Sequence, residues 1–445
     1  MRKLHSILLS VAALCSIWSC GMAQVHDVTY SAEAVRADLD ELIGVVTSVH
    51  PDLAYTADLE ELRSTVADIH KRVRERMTAR EAWLLLSELN PQFRDAHTGL
   101  QYPKAELDSY RQGGGAIFPL PVYVDDKGAL RVAQGANYPP DVRPHDEVAS
   151  INGKSSERIL ADAMPRMRGE TEIIRRLVLE YNFAAYLWAL CGPQEEYVVV
   201  VLDSSGARRS VMLPRSSQSP RAVKDVNAFS YEQLRTDVGY MEIKSFDPML
   251  KQDFDQFLGR TFAAIHAANV SKLIIDIRRN PGGAHDLSDA LLEYLSDKPV
   301  RGASSVIARV HESNRDIAPE ASVGDVVAQP FDEWLTPIRR EHRFGGEIYL
   351  LVGRRTYSQA IVFATTFQDF KLGKVVGVAT DGWANQTGQV HMTRLANTGL
   401  FVAAPLYIIF RPSGDKAPGG LSPDIPMEDD PGRPRGMVEA LLKSL

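Results

Sequence analysis

The sequence predicts an α/β protein, because two apolar, strand-like runs each lead into a helical pattern. Leu273 to Ile277 form a short, branched apolar run that is typical of a buried strand, and Asp286 to Leu295 then repeat apolar residues at helical spacing. Glu347 to Gly353 form a second such run, and an apolar helix is expected to begin at Ser358. Strands that alternate with helices are typical of the α/β class.

The first half of the chain divides into a helical part and a strand-rich part. Apolar residues recur at helical spacing from 31 to 89, so helices are expected there beside the core. After a glycine-rich hinge at 112–115, residues 120–132 are predicted to form a hairpin, and 197–202 and 208–213 later strands. Between these strands, Thr171 to Leu190 are predicted to form one amphipathic helix.

The first predicted strand stops at Asn280-Pro-Gly-Gly283. Proline removes a backbone donor and fixes φ, and two glycines permit conformations in which free NH groups point away from the sheet. Taken alone, this could be a tight strand-to-helix turn without chemistry.

The second predicted strand ends at a corner that carries Ser358. Such a corner exposes a side chain beside a helix N-terminus, where free NH groups favour a developing negative charge. Serine is also a common helix N-cap, so Ser358 alone has a purely structural explanation. The two motifs together, in this order, favour an oxyanion-binding turn and a serine nucleophile.

Several segments carry a resemblance to a known family. The chain resembles the C-terminal processing (tail-specific) serine proteases, a group that includes the tricorn protease core and the repeats of interphotoreceptor retinoid-binding protein. The segments that carry the resemblance are Phe93-Arg-Asp-Ala-His-Thr-Gly99, Asp276-Ile-Arg-Arg-Asn-Pro-Gly-Gly283, Thr356-Tyr-Ser-Gln-Ala360, Gly377-Val-Ala-Thr-Asp-Gly382 and Gly420-Leu-Ser-Pro-Asp-Ile425. The resemblance implies a crotonase-like core of repeated strand-strand-helix units, an N-terminal helical region and a PDZ-like module.

The PDZ resemblance rests on Arg143-Pro-His-Asp-Glu-Val-Ala-Ser-Ile-Asn-Gly153, which is similar to a PDZ strand and turn. His145 stands where glycine is expected, and the helical insertion indicates a modified module that acts as a binding site, a scaffold or a lid. The expected organisation is a signal peptide at 1–23, a helical region at 24–112, a PDZ-like module at 116–215 and a protease core at 225–445.

The residue predicted to act as general base differs from that of the better-known family members. Those use a lysine where this chain has Trp383, which cannot accept a proton. The resemblance to the tricorn-type branch implies His97 as the base, since histidine can take and return a proton near neutral pH. The less favoured candidates are His391, His50, His285, Lys371, Lys374 and Lys416.

The acid that orients the base is predicted less directly. The region that corresponds to the family's distant acid contains Asp415, and Asp95 and Asp424 are alternatives. Oxyanion stabilisation would come from the NH of Gly282 or Gly283 and from that of Gln359.

The predicted reaction is acyl transfer. Ser358 would attack a peptide carbonyl while His97 takes its proton, and water would then hydrolyse the acyl-enzyme, with no metal or organic cofactor. Trp383, Arg355 and Arg354 are candidate substrate contacts, because they lie near the nucleophile in sequence; an arginine could hold a substrate carboxylate. The rival hypothesis is a catalytically inactive protein that binds peptides or apolar ligands on the same fold.

Composition agrees with a soluble enzyme, and the N-terminal segment predicts export. The 445 residues are 44% hydrophobic and 24% charged, enough for two or three domains. The net charge of −7 becomes −9 without residues 1–23, and this acidity argues against nucleic-acid binding. The N-terminus has the charged start, apolar stretch and small-residue cleavage site of a signal peptide, which predicts a periplasmic or secreted protein. No later run in the sequence is expected to be long and apolar enough to span a membrane.

The cysteines agree with this interpretation. Cys20 lies in a segment that loosely resembles a lipoprotein box, so a lipid anchor there is the alternative to a freely released chain. Cys15 also lies in the signal region, which leaves Cys191 as the single cysteine of the mature protein and excludes an intramolecular disulfide. Its apolar surroundings predict a buried thiol at a helix end.

Overall fold

A computed structural model describes residues 28–133, 138–216, 228–430 and 433–445. The predicted signal peptide and lipoprotein box lie outside these residues. The helices are α1 (Ala32–Val49), α2 (Leu59–Arg72), α3 (Ala79–Leu86), α4 (Lys104–Gln112), α5 (Ser156–Ala163), α6 (Glu172–Tyr181), α7 (Phe183–Cys191), α8 (Lys251–Ala267), α9 (His285–Leu295), α10 (Gln359–Asp369) and α11 (Gly436–Ser444).

The strands lie in four sheets. They are β1 (Thr29–Tyr30), β2 (Met77–Thr78), β3 (Gly99–Leu100), β4 (Val122–Val124), β5 (Leu130–Val132), β6 (Glu147–Ile151), β7 (Lys154–Ser155), β8 (Tyr197–Leu202), β9 (Arg208–Leu213), β10 (Phe229–Gln233), β11 (Val238–Ile243), β12 (Lys272–Asp276), β13 (Ser305–Arg309), β14 (Val326–Pro330), β15 (Glu347–Val352), β16 (Lys374–Gly377), β17 (Gln386–Arg394), β18 (Phe401–Phe410) and β19 (Ile425–Pro426). The prediction of a mixed α/β fold is confirmed.

The central sheet has the order β10-β11-β12-β15-β16-β19, and its strands from β11 onwards are parallel. Successive side chains of a strand point to opposite faces of a sheet. Leu273 and Ile275 therefore pack with α8, α9 and α10, whereas Ile274 packs with α11. Helices on both faces explain the continuous apolar run of β12. The strand ends of β12 and β15 lie side by side, which brings the glycine turn and the Ser358 corner together.

A second sheet carries the other side of the site. Its order is β14-β13-β18-β17, and β3 pairs with β18 through the partners Leu100 and Val402. Strand β18 thereby lies between the segment that contains His97 and strand β17, which contains Thr387. His97 and Thr387 are far apart in sequence, and the pairing of β3 and β17 with β18 brings them together.

The middle sheet has the order β4-β5-β6-β8-β9, with β7 paired to β6. The predicted hairpin at 120–132 is present as β4 and β5. Side chains of this sheet share one apolar cluster with α1, α2 and α3, so the N-terminal helices and the middle sheet pack as one body. The domain boundaries given above remain predictions.

The prediction of one helix from Thr171 to Leu190 is wrong. The chain forms α6 and α7 with a break at Asn182, whose φ of −126° and ψ of 31° are not helical. The carbonyl of Asn182 accepts hydrogen bonds from the NH groups of Ala185 and Tyr186, which starts the second helix anew. Helix α7 ends at Cys191, a partly buried free thiol whose pKa is raised by burial. In the described ranges, no helix has the length and apolar character needed to cross a membrane.

Candidate active site

Ser358 stands at the corner between β15 and α10 with φ 51° and ψ −125°. A non-glycine residue rarely adopts this backbone conformation, which costs about 1–3 kcal/mol and persists only where neighbours enforce it. Here Thr356 accepts a hydrogen bond from the Gly353 NH and donates one to the Ile277 carbonyl, each of 3.0 Å. The Tyr357 NH donates to the Asn280 carbonyl at 3.0 Å. The residues that precede Ser358 are therefore attached to the segment that follows β12.

His97 lies opposite the serine. Its Nε2 is 3.2 Å from the Ser358 Oγ, and the side chain is 13% exposed. The chain reaches this position through a turn in which Arg94 has a left-handed φ of 49°. Asp95 then accepts hydrogen bonds from the His97 NH at 2.9 Å and from the Thr98 hydroxyl at 2.6 Å. The predicted nucleophile and base are thus brought within hydrogen-bonding distance.

A hydroxyl group stands between His97 and a carboxylate. The Thr387 Oγ1 is 3.0 Å from His97 Nδ1 and donates to Asp95 Oδ1 at 2.9 Å. The direct distance from His97 Nδ1 to Asp95 Oδ1 is 3.4 Å. An ionised carboxylate only accepts, so the threonine hydroxyl donates to Asp95 and accepts from the Nδ1–H of His97. This arrangement leaves the Nε2 lone pair free for the Ser358 proton.

Asp95 is ionised although its side chain is only 1% exposed. Burial alone would raise its pKa, but the hydrogen bond and charge of His97, the charge of His50 and the Thr98 hydroxyl lower the pKa below its ordinary value. His50 Nε2 lies 4.0 Å from this carboxylate. The His50 Nδ1 accepts from the Asp52 NH at 3.2 Å, and burial lowers the pKa of the ring.

The glycine turn has one NH group that is hydrogen-bonded within the turn and one that is not. The Gly282 NH donates to the Asn280 side chain at 2.8 Å, so the prediction of this NH as a free donor is wrong. The Gly283 and Gln359 NH groups have no acceptor among the described residues. Gly282 instead permits close approach, since a Cβ there would lie 2.8 Å from the Ser358 Cβ.

The structure does not bring Asp415 to the base. Asp415 is exposed, and its carboxylate accepts from the Ala417 NH at 2.9 Å within its own loop. Asp424, an alternative, accepts from the Val375 NH at 2.8 Å and ties the central sheet together. Of the three carboxylates considered from sequence, only Asp95 contacts His97.

The predicted substrate contacts are largely occupied. Arg355 forms a two-pronged ion pair with the buried carboxylate of Glu180, at 2.6 and 3.2 Å. This pair uses two of the five N–H donors of the guanidinium, and the role of Arg355 as a substrate contact stays a prediction. Trp383 is partly buried, with its ring edge-on to Tyr55 at 5.7 Å. Arg354 is exposed and lies 3.9 Å from Asp126.

The other candidate bases have separate roles. His391 lies against the His311 ring at 4.4 Å, and His285 pairs with Asp289 at 3.0 Å. Lys416 lies over the Phe410 ring at 4.6 Å. Lys371 and Lys374 are both exposed.

Sequence reasoning missed three residues at this site. Thr387 completes the link from His97 to Asp95, Tyr357 stacks on His97 with ring centroids 5.4 Å apart, and Glu170 accepts from the Tyr357 hydroxyl. Only Tyr357 had a local signal, because it precedes the nucleophile. The partners of Thr387 and Glu170 are distant in sequence, and no periodicity reports such contacts.

A cavity of about 710 Å³ lies away from the nucleophile, between α1 and α2. Its lining includes Ile43, Leu62, Val66 and, at its inner end, His50. None of Ser358, His97 or Thr387 lines it. No group of three or more side chains suited to a metal ion occurs in the described part of the chain.

Comparisons with known proteins agree with this geometry. Residues 237–427 match the model of peptidase family S41, a stretch that contains Ser358 and the glycine turn but not His97. The fold is similar to that of mature CPAF complexed with lactacystin, with a TM-score of 0.66, 16% identity, and coverage of 93% of this chain and 97% of that one. It is also similar to the photosystem II D1 C-terminal processing protease, with a TM-score of 0.50, 16% identity, and coverage of 89% and 93%.

A putative peptidase from Parabacteroides merdae is a further structural relative, with a TM-score of 0.50, 14% identity, and coverage of 92% and 96%. At these identities the likeness concerns the fold, while the family match concerns the segment that holds the nucleophile. Residues 237–427 therefore match a family of serine-type peptidases, S41, and the likeness of fold to solved peptidases extends over most of the chain.

Proposed function

We propose that the protein is an exported serine peptidase in which Ser358 forms the acyl-enzyme and His97 is the general base. The observation that carries this proposal is the 3.2 Å contact between His97 Nε2 and Ser358 Oγ, with Nδ1 held by Thr387 and, through it, by Asp95. A nucleophile, a base and a group that orients the base are the parts that acyl transfer requires.

In the first half of the reaction, the Ser358 oxygen attacks a peptide carbonyl and His97 takes the hydroxyl proton. The NH groups of Gly283 and Gln359 are placed to stabilise the tetrahedral oxyanion. The imidazolium then gives its proton to the leaving amine as the peptide bond breaks. Water repeats the sequence on the acyl-enzyme and releases the acid product and the free serine.

In this proposal, Thr387 and Asp95 orient His97, the role that the sequence analysis predicted for Asp415. The ionised Asp95 stabilises the imidazolium. The Thr387 hydroxyl bridges the two groups by hydrogen bonds and keeps the proton of neutral His97 on Nδ1. The contact of His97 with Ser358, together with a tryptophan (Trp383) where the lysine is expected, favours the tricorn-type branch over the lysine-dependent one.

The remaining features of the proposal concern architecture and location. The central sheet with its flanking helices suits a crotonase-like core, and the middle sheet with its helical insertion suits a modified PDZ-like module. Substrates would be peptides or proteins in the periplasm or outside the cell. The N-terminal sequence motif supports export, and a lipid anchor at Cys20 is the alternative to a soluble mature chain.

Labelling with a fluorophosphonate probe tests the proposal. Wild-type protein is expected to be labelled, and Ser358→Ala and His97→Ala are expected to abolish labelling. Ser109→Ala, at an exposed helix position, and His391→Ala are matched controls that should retain it. Absence of wild-type labelling between about pH 6 and 9 would favour the inactive binding protein, and an active His97→Ala protein would exclude His97 as the base.

A further inference from the structure

A buried carboxyl group from the middle part of the chain reaches the catalytic centre through Tyr357. The Tyr357 hydroxyl donates to Glu170 Oε1 at 2.9 Å. The tyrosine ring in turn lies nearly parallel to the His97 ring, at an interplanar angle of 18° and a centroid distance of 5.4 Å. Glu170 therefore contacts the residue that immediately precedes the nucleophile and flanks the base.

The position of Glu170 is built by its neighbours. Gly169 has a φ of 144°, and a Cβ there would lie 2.8 Å from the Ile174 side chain and 2.9 Å from the Arg175 nitrogen. On the other side, the Thr171 hydroxyl caps α6 by accepting from the Ile174 NH at 3.2 Å. The backbone on both sides of Glu170 is thus held, which directs its side chain inward.

The tyrosine is confined as well. A Cβ on Gly382 would lie 2.5 Å from the Tyr357 ring, so the Gly382 backbone packs directly against it. Two residues earlier, Arg355 is held by Glu180 of α6. Acidic side chains from the middle part of the chain therefore anchor the nucleophile corner at both Arg355 and Tyr357.

Glu170 also has an unusual electrostatic environment. Burial and the nearby charge of Asp95 raise the pKa of Glu170 to about 7. A hydrogen bond from its own backbone, the charge of His97 and the hydrogen bond from Tyr357 act in the opposite direction and lower this pKa. Its Oε2 is buried without a hydrogen-bond partner among the described residues. Arg168 is the other charge near this pair, and it acts on Tyr357. Glu170 consequently changes charge near neutral pH.

We propose that Glu170 is a positioning residue of the catalytic centre, which fixes the Tyr357 ring and through it the orientation of His97. This inference rests on the proposed function. An ionised acceptor makes a hydrogen bond about twice as strong as a neutral one, so the ring is held more firmly when Glu170 is ionised. The rate at which Ser358 reacts should therefore rise with the ionisation of Glu170.

The test is the rate constant of fluorophosphonate labelling from pH 6 to 8. Glu170→Gln keeps a neutral acceptor for the tyrosine hydroxyl, so its rate should stay within about threefold of wild type at pH 6 and fall about tenfold below it at pH 8. Glu157→Gln, at an exposed position on α5, is the matched control and should follow the wild-type profile. Thermal unfolding checks that each variant is folded.

A double-mutant cycle tests whether Glu170 acts through the tyrosine. At pH 8, Glu170→Ala and Tyr357→Phe should each reduce the rate about tenfold, and the double variant should lose no more than either single one. Tyr181→Phe, whose tyrosine is 79% exposed, is the control and should be unchanged.

The outcomes separate this inference from the proposed function. If the wild-type protein is unlabelled, the proposed function fails and this inference fails with it. If the wild type is labelled but the ratio of Glu170→Gln to wild type is constant across pH, only the positioning role is overturned. Additive losses in the cycle would also overturn it, because Glu170 would then act independently of Tyr357.

Discussion

Replacing Thr387 by valine removes the hydroxyl that links His97 to Asp95 while keeping a side chain of similar shape. The change removes the 3.0 Å contact with His97 Nδ1 and the 2.9 Å hydrogen bond to Asp95 Oδ1. The first of these becomes charge-assisted when the imidazolium forms, and such hydrogen bonds contribute about 1.5–3 kcal/mol. The expected loss in kcat/KM is therefore about 10- to 150-fold.

The loss should stop short of inactivation. His97 Nδ1 already lies 3.4 Å from Asp95 Oδ1, so a small ring movement could form a direct but less favourable hydrogen bond. Thr387→Ser is the matched control, because it keeps the hydroxyl and removes only a methyl group. Its kcat/KM should stay within about threefold of wild type.

The assay is hydrolysis of an activated ester or peptide substrate, or fluorophosphonate labelling where no substrate is known, with thermal unfolding as the check on folding. Wild-type activity in Thr387→Val would refute the role of the hydroxyl. Equal losses in Thr387→Val and Thr387→Ser would also refute it, since packing of the methyl group would then explain the effect.

Three further predictions concern the same site. Gly282→Ala should abolish labelling, because its Cβ would lie 2.7 Å from the backbone nitrogen of Gln359, the residue after the nucleophile. The control is Gly114→Ala, which also has a positive φ but would place its Cβ within 4 Å of no other atom. This variant should only lower the melting temperature slightly. Glu170 has a pKa of about 7 in the folded protein and about 4.3 in the unfolded chain, so the wild type loses stability as pH rises between these values. The free energy of unfolding of Glu170→Gln, measured in urea, should therefore increase relative to that of the wild type over this range. A constant difference between the two proteins would contradict this expectation. Asp95→Asn should reduce labelling at least about tenfold and Asp415→Asn should leave it unchanged, and the reverse result would restore Asp415 as the acid.

Local patterns predicted the parts of the site that depend on nearby residues. The apolar runs of β12 and β15 and the turns that follow them predicted a nucleophile at Ser358 and a glycine turn beside it. The two turns meet because parallel strands end at the same edge of a sheet. The motif resemblance supplied His97, which no periodicity would have singled out.

Side-chain partners that the sequence did not indicate change the interpretation of two predicted site residues. Gly282 was a reasonable oxyanion donor until its NH was found to donate to Asn280. Arg355, a predicted substrate contact, forms an ion pair with Glu180 that the sequence did not indicate. Each partner was visible in the sequence, but the choice of partner depends on side-chain placement within a few ångströms.

The α/β class, the strand ends and the nucleophile corner could be predicted from the chain alone, because they depend on periodicity and turn chemistry over short stretches; the histidine motif came from the family resemblance. What orients His97 and what lies behind Ser358 depends on contacts between distant segments. Strand β18 pairs on one side with β3 and on the other with β17, and this register brings Thr387 to Asp95 across 292 positions. The contact of Glu170 with Tyr357 spans 187 positions. Such contacts follow from sheet register and packing, which no local pattern encodes.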